Sequence, residues 1–145
     1  GITENVKAKS NSEVFRVLFD LLDDEQFDLV WANFNDFDSL YGHRNNPNGF
    51  KKALESWDVQ LNDFLPRLRF DDVFIITSDH GCDPTTPSTD HSREHALLMV
   101  ASPQILSGNS LGIRESFADL GATVAQLLGI PWSGPGRSFS FIVHE

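Results

Sequence analysis

The chain has 145 residues, a length that suits one domain and buries roughly 70% of the unfolded surface on folding. It contains 11 lysine and arginine residues against 21 aspartate and glutamate residues, so its formal net charge is −10 at pH 7. This acidic balance argues against nucleic acid and against an anionic membrane surface as partners, because both require a basic face.

Hydrophobic periodicity predicts that helices and strands alternate along the chain. The capping-box pattern Ser10-x-x-Glu13 predicts the start of a first helix, and apolar residues follow it at helical spacing. The short apolar run 28–34 predicts a buried strand. Apolar residues then recur every three or four positions and predict a second helix over about 49–65, which Pro66 ends or kinks.

Two further apolar runs, 73–77 and 96–101, predict the remaining strands of the sheet. Since helices separate strands along the chain, we predict an α/β fold with a mostly parallel sheet flanked by helices. The loop 80–94 has no apolar period and contains Gly, Pro, Thr and Asp. Long loops in compact domains are often functional, so this loop is a candidate part of a site.

The last part of the chain predicts one more helix and an edge strand. The pattern Ser116-x-x-Asp119 predicts the start of this helix, and Gly129 predicts its end. The alternating tail 139–143 predicts the edge strand. We interpret residues 1–145 as a single domain, and the missing initiator Met as the sign of a fragment or a processed form.

Carboxylates and imidazoles lie where the predicted strands end. Asp38 and His43 follow the first strand, Asp79 and His80 follow the second, and His91 precedes the third. Ligands of open α/β sheets bind beyond the carboxyl ends of the strands, so we expect these five side chains to converge. Their donor atoms suit Mn²⁺ or Zn²⁺, with Mg²⁺ less favoured. Five ligands exceed what one open catalytic ion uses, which predicts two divalent metal ions that clamp a phosphoryl group.

Four of these five residues, all except Asp38, also have an ordinary structural interpretation, and for His80 it is a plain loop position. Asp79 could cap a turn, His43 could lie on the surface, and His91 could pair in solvent with Asp90 or Glu94. The joint placement of the residues at strand ends weakens these separate explanations and strengthens the case for a metal site, without deciding between them.

The single cysteine, Cys82, cannot form an internal disulfide, which indicates a reducing compartment and a cytoplasmic protein. The N-terminus lacks the basic start and long apolar run of a signal peptide, and no apolar run is long enough to span a bilayer. We interpret Cys82 as a packed thiol. We assign no metal-binding role to His95 or His144.

The segments that carry the candidate ligands resemble the phosphopentomutase family of the alkaline-phosphatase superfamily. The resemblance covers nearly the whole chain and corresponds to the C-terminal part of the family's core domain. It is carried by five segments, 33–44, 77–85, 89–94, 1–8 and 111–121.

The resemblance implies an enzyme with two manganese ions that moves phosphate between the 1- and 5-positions of ribose or deoxyribose. Asp79 and His80 resemble the ligands of one ion. The ligands of the other ion correspond by resemblance to Asp38, His43 and His91. The family's phosphorylated Thr, a further metal-binding Asp and the cap domain belong to its N-terminal portion. This segment is therefore expected to be catalytically incomplete, with no catalytic residue of its own.

Some positions depart from the family pattern or leave a choice open. Asp36 is the near alternative to Asp38, although the family spacing favours Asp38. Thr86 and Ser88 stand where the family usually has Trp and Gly, and Leu97 stands where it often has Pro. These departures alter the loop that lines the site, so a mutase acting on another phosphorylated or phosphonylated metabolite is one alternative. A phosphatase or phosphodiesterase of the same superfamily and a non-catalytic module that retains the fold are two others.

Overall fold

The computed structural model describes residues 1–24, 26–105 and 108–139. The regular elements in these ranges are, in chain order, α1 (Asn11–Leu22), a π-helical turn (Phe37–Gly42), α2 (Pro47–Phe64), a 3-10 turn (Leu65–Arg67), β1 (Phe74–Thr77), β2 (Leu98–Ala101) and α3 (Ala118–Leu127). Contacts divide the chain into two compact units, Gly1–Ala101 and Ser102–Glu145. The assignment of residues 1–145 to a single domain stays a prediction.

The first helix begins where the capping box predicts. The Ser10 hydroxyl accepts a hydrogen bond from the backbone N–H of Glu13 at 3.3 Å. The Glu13 carboxylate accepts from the backbone N–H of Lys9 at 2.7 Å, so the reciprocal bond reaches one residue further back than in the usual capping box. The first bond satisfies a donor that the first helical turn cannot pair internally, and the second ties the residue before the cap to that turn.

The second helix also matches its prediction. The Asn46 side chain accepts from the backbone N–H of Gly49 at 2.9 Å, and Pro47 occupies the first helical position, where its missing N–H costs nothing. Pro66 lies in the 3-10 turn that follows Phe64, so the regular α-helix ends just before the proline.

The core of the first unit is largely aromatic. Phe15 is 1% exposed and Phe64 is 3% exposed, and their ring centroids lie 6.3 Å apart. Phe34 and Trp57 pack on Phe15 with centroid distances of 4.9 and 5.5 Å. These contacts fix α1 against α2 and anchor the chain just before the π-helical turn.

The sheet differs from the predicted parallel arrangement. β1 and β2 pair antiparallel, with Phe74 opposite Ala101 and Thr77 opposite Leu98. A parallel pair needs a crossover of a dozen or more residues, usually a helix, whereas no helix lies between 77 and 98 in the described chain. The loop returns the chain directly, which makes the mostly parallel sheet wrong for these two strands.

The predicted strand at 28–34 is also not formed among the described residues. The segment is irregular, with no bridge to a described strand, and Trp31 is 73% exposed. Ala32 and Phe34 nevertheless pack against the core. The apolar run therefore reflects partial burial, whereas a strand needs a hydrogen-bonded neighbour.

The second unit contains α3. Ser116 accepts a hydrogen bond from the backbone N–H of Ala118 at 3.1 Å, so the predicted serine does contact the helix start. Gly129 has a φ of +64° and ends the helix, and the N–H of Ile130 reaches back to the carbonyl of Ala125 at 2.8 Å. The predicted edge strand at 139–143 lies, beyond Phe139, outside the described residues.

Asp119 of α3 organises the rest of this unit. Its carboxylate accepts from the Arg114 guanidinium at 2.8 Å and from the backbone N–H of Arg137 at 2.7 Å. The Arg137 bond is the main cause that lowers the pKa of Asp119, and the Arg114 guanidinium lowers it further. The predicted capping role of this carboxylate is thus replaced by a link between two loops.

None of the helices in the described ranges combines the length and the apolar character that crossing a lipid bilayer requires.

Replacing Ser10 with Ala is expected to lower the free energy of unfolding by about 1 kcal/mol, because the N–H of Glu13 loses its acceptor. The measurement is urea unfolding of the natural polypeptide that contains this chain. Ser12→Ala is the matched control, since Ser12 is an exposed residue inside α1. Equal stability of wild type and Ser10→Ala would contradict the capping role.

Replacing Asp119 with Asn should destabilise the protein at pH 7, and the difference should shrink only in acid. A carboxyl whose pKa is lowered by folding contributes its full stabilisation above its unfolded value of about 3.9 and loses it as pH falls through the folded value. Unfolding of both proteins at pH 7, 5 and 3 tests this. Glu115→Gln, the same chemical change at an exposed residue, controls for net charge. A difference that already disappears at pH 5 would contradict the assignment.

Candidate metal centre

Antiparallel pairing brings two of the candidate segments to one edge of the sheet. Thr77, at the end of β1, lies opposite Leu98, at the start of β2. Beyond this edge the chain continues into Asp79 and His80 on one arm of the loop and returns through His91 on the other. From the sequence, parallel strand ends were expected to bring the five residues together. Asp79, His80 and His91 instead lie at one edge because the loop returns the chain to the strand it has just left.

The two arms are held together by a close backbone contact. Gly81 and Ser92 form an isolated antiparallel bridge, with the N–H of Ser92 donating to the carbonyl of Gly81 at 3.1 Å. A Cβ atom at Gly81 would lie 2.6 Å from the carbonyl oxygen of Ser92, and closer still to that of Glu94. Only glycine fits at this position, and it brings the His80 and His91 rings together.

The π-helical turn supplies Asp38 and His43. The backbone N–H of His43 donates to the carbonyl of Asp38 at 3.0 Å, across five residues rather than the four of an α-helix. π-helical turns are rare in proteins, and those that occur often lie at functional sites. The wider turn places His43 Nε2 3.4 Å from Asp38 Oδ1. Gly42 allows a close approach here, because a Cβ on it would meet the Cys82 sulfur at 2.5 Å.

A backbone carbonyl fixes the tautomer of His43. Its Nδ1 lies 2.5 Å from the carbonyl oxygen of Thr89. A carbonyl oxygen only accepts, so Nδ1 carries a proton, and in the neutral ring, which is the form that binds a metal ion, Nε2 keeps the free lone pair. The lone pair is on the nitrogen that faces Asp38. Metal-binding histidines have this arrangement, with one ring nitrogen donating to an oxygen and the other free to bind the ion.

His80 is arranged in the same way. Its Nδ1 lies 3.0 Å from the carbonyl oxygen of Gly81, so this nitrogen donates. Its Nε2 lies 3.4 Å from Asp79 Oδ1 and 3.7 Å from Asp38 Oδ1. The Asp79 side chain is 90% exposed, which leaves its oxygens accessible.

His91 completes the cluster. Its ring stacks on that of His80, with centroids 3.6 Å apart and an angle of 15° between the planes. The His43 ring is also near, with its centroid at 5.0 Å. One ligand atom from each of Asp38, His43 and His91 lies within 4.8 Å of the other two. All five predicted residues are thus in one connected group.

One oxygen atom of Asp38 indicates that the cluster suits a divalent cation. Asp38 Oδ1 is buried and accepts no hydrogen bond from any residue that the structure describes. A buried carboxylate oxygen without a donor is costly, and a coordinated cation removes that cost. Its neighbours are imidazole nitrogens whose lone pairs are free, so carboxylate and imidazole donors converge as such an ion requires.

Asp36, Cys82 and His95 are near the candidate ligands in sequence but are not members of the cluster. The Asp36 carboxylate accepts from the backbone N–H of Asn11 at 2.9 Å and so joins the start of α1, away from the cluster. Cys82 is partly buried, and burial, followed by the charge of Asp38, raises the pKa of its thiol. The protonated thiol agrees with the interpretation of Cys82 as a packed side chain. His95 is exposed and is not among the clustered ligands.

Three groups that contact the site or its loop were not found from the sequence. The carbonyls of Thr89 and Gly81 orient His43 and His80, and backbone atoms leave no residue-type signal. Asn45 donates to the carbonyl of Thr86 at 2.9 Å and has a φ of +46°. The Asn45-Asn46-Pro47 sequence was a turn signal that could have marked this position.

Comparison with known proteins shows the family of the chain. The sequence profile of the Metalloenzyme superfamily matches residues 1–132. A protein of Thermotoga petrophila named phosphopentomutase is 45% identical over 146 residues, which is 100% of this chain and 37% of that protein. Proteins of the same name from Kosmotoga olearia and Anaeromyxobacter are 48% and 50% identical over 139 residues, 96% of this chain and 36% and 35% of their own lengths.

The chain spans little more than a third of the relatives it matches, since it covers 37% of the Thermotoga petrophila protein. The matched range includes the positions of all five candidate ligands, and superfamily membership implies a divalent metal. On the profile match and on the relatives that align with the full chain, this chain belongs to the metalloenzyme superfamily.

Proposed function

We propose that the protein containing this chain is a metal-dependent phosphomutase that moves phosphate between the 1- and 5-positions of ribose or deoxyribose. The observation that carries the proposal is the cluster of Asp38, His43 and His91, in which a buried oxygen of Asp38 has no hydrogen-bond donor among the described residues. It is supported by relatives named phosphopentomutase that align along the whole chain.

In this proposal the five side chains hold two divalent ions, with Mn²⁺ as the metal. Asp79 and His80 bind one ion, whereas the other is bound by Asp38, His43 and His91. The backbone carbonyls of Gly81 and Thr89 keep the Nε2 lone pairs of His80 and His43 available. A remaining ligand and the nucleophilic Thr come from the rest of the polypeptide, in which residues 1–145 supply the C-terminal part of the core.

Charge explains why such a protein needs metal ions. The chain has a formal net charge of −10, and Asp38 and Asp79 add negative charge at the site itself, so an unaided phosphate would be repelled. Bound divalent ions supply charge neutralisation of the phosphoryl group. The protein residues hold and orient the group, which is the main requirement of phosphoryl transfer. We place the enzyme in the cytoplasm, with a small phosphorylated sugar as substrate.

The reaction is tested with the full-length protein loaded with Mn²⁺. Ribose 1-phosphate or deoxyribose 1-phosphate is added, and ³¹P NMR follows the products. We expect the 5-phosphate to appear without matching release of inorganic phosphate. Stoichiometric inorganic phosphate would instead identify a phosphatase of the same superfamily. A protein that binds no metal and converts neither substrate would indicate a non-catalytic module.

Removing the His91 imidazole is expected to remove one of two bound ions. His91→Ala deletes one of three ligands whose atoms lie within 4.8 Å of one another, which leaves too few donors to retain that ion. The measurement is elemental analysis of Mn per chain after gel filtration of the full-length variant.

His95→Ala is the matched control for this measurement, because it deletes an exposed imidazole four residues away. It should retain both ions. Two ions per chain in His91→Ala would refute the assignment of His91 as a ligand.

A further inference from the structure

The loop that carries Thr89 is tied to the π-helical turn by two long-range hydrogen bonds. One comes from a candidate ligand, with His43 Nδ1 donating to the carbonyl of Thr89. The other comes from Asn45, whose Nδ2 donates to the carbonyl of Thr86 at 2.9 Å across 41 residues of sequence. The second bond involves no candidate metal ligand.

The chain between these two carbonyls is short and stiff. Thr86 and Thr89 are separated by Pro87 and Ser88, and the proline fixes its own φ and restricts the residue before it. The Thr86 hydroxyl donates its proton to the carbonyl of Asp83 at 3.0 Å, and the carbonyl oxygen of Ser88 lies 3.3 Å from the same hydroxyl oxygen. A bond that holds the Thr86 carbonyl therefore also limits where the Thr89 carbonyl can lie.

The Asn45 side chain can make this bond in only one orientation. Its Nδ2 faces the Thr86 carbonyl, while its Oδ1 is buried and accepts no bond from a described residue. Exchanging the two atoms would set two oxygen acceptors against each other. Its backbone, at a φ of +46°, is left-handed, a conformation that asparagine and glycine tolerate better than most residues.

We propose that Asn45 is a positioning residue for the metal centre. By holding the carbonyl of Thr86, it fixes that of Thr89, which keeps the proton of His43 on Nδ1 and the Nε2 lone pair free. This inference rests on the proposed function for its metal, but the tautomer of His43 is a property of the chain alone. The role falls to a residue outside the ligand set, and it acts through the backbone of the loop.

Two variants separate this role from that of a simple turn former. Asn45→Gly tolerates the positive φ and removes the side-chain donor. Asn45→Asp keeps the size and the tolerance of positive φ but sets an oxygen against the Thr86 carbonyl. If Asn45 served only the turn, glycine would replace it without effect. Asn46→Asp is the matched control, since it keeps the oxygen that accepts from Gly49.

The experiment has two readouts on the full-length protein. Isothermal titration with Mn²⁺ should show roughly tenfold weaker binding for Asn45→Gly and Asn45→Asp, and unchanged binding for Asn46→Asp. In metal-free protein with ¹⁵N-labelled histidine, the His43 signals, assigned by their loss in His43→Gln, should report Nδ1–H in the wild type. In both Asn45 variants they should report a mixture with Nε2–H.

The outcomes distinguish this inference from the proposed function. Wild-type affinity and an unchanged His43 tautomer in Asn45→Gly would overturn the positioning role. Should the wild-type protein bind no Mn²⁺, the proposed function fails, and the NMR tautomer alone decides the inference: retained Nδ1–H in both variants overturns it, and a mixture supports it. If one variant does not fold, the other still decides.

Discussion

The close pairing of Gly81 with Ser92 is the constraint on which the arrangement of the candidate metal centre depends. It joins the outgoing and returning arms of the loop where a side chain on Gly81 would collide with the opposite backbone. Because the arms are this close, the His80 and His91 rings stack. The site is thus assembled by backbone proximity at the edge of a two-stranded sheet, and its side chains follow from that geometry.

A second principle governs the orientation of the imidazoles. His43 and His80 each direct Nδ1 at a backbone carbonyl and Nε2 at a carboxylate. Backbone carbonyls are always unprotonated acceptors, so they set a tautomer that does not depend on another ionisable group. The free lone pairs then meet an oxygen of Asp38 that has no donor in the described protein. Local hydrogen bonding thereby prepares the nitrogen atoms for a cation.

The sequence predicted the parts that depend on local signals. The capping serine of α1, the proline that ends α2, the two paired strands and the glycine that ends α3 are found where expected. The proximity of the candidate ligands was predicted because residue types and strand ends are both visible in sequence, and their role as ligands stays a prediction. The direction of strand pairing was predicted wrongly, since the rule for parallel strands was applied across a loop that contains no helix.

Other features could not be read from residue types. The π-helical turn has one more residue in each hydrogen-bonded ring than an α-helix has. The spacing of apolar residues does not reveal this difference. The carbonyls that orient the histidines belong to residues whose side chains carry no such information. The apolar run 28–34 has strand-like composition. Whether such a run forms a strand depends on a hydrogen-bonded neighbour in space, which composition does not reveal.

The same run, residues 28–34, bears on how the chain behaves in concentrated solution. Leu29, Val30 and Trp31 are 54%, 42% and 73% exposed, next to each other and with backbone groups unpaired in the described chain. Consecutive apolar residues with open hydrogen-bonding groups readily template intermolecular β-pairing. At high concentration the chain should self-associate through this run, and charged replacements at Trp31 offer the simplest route to keep it dispersed.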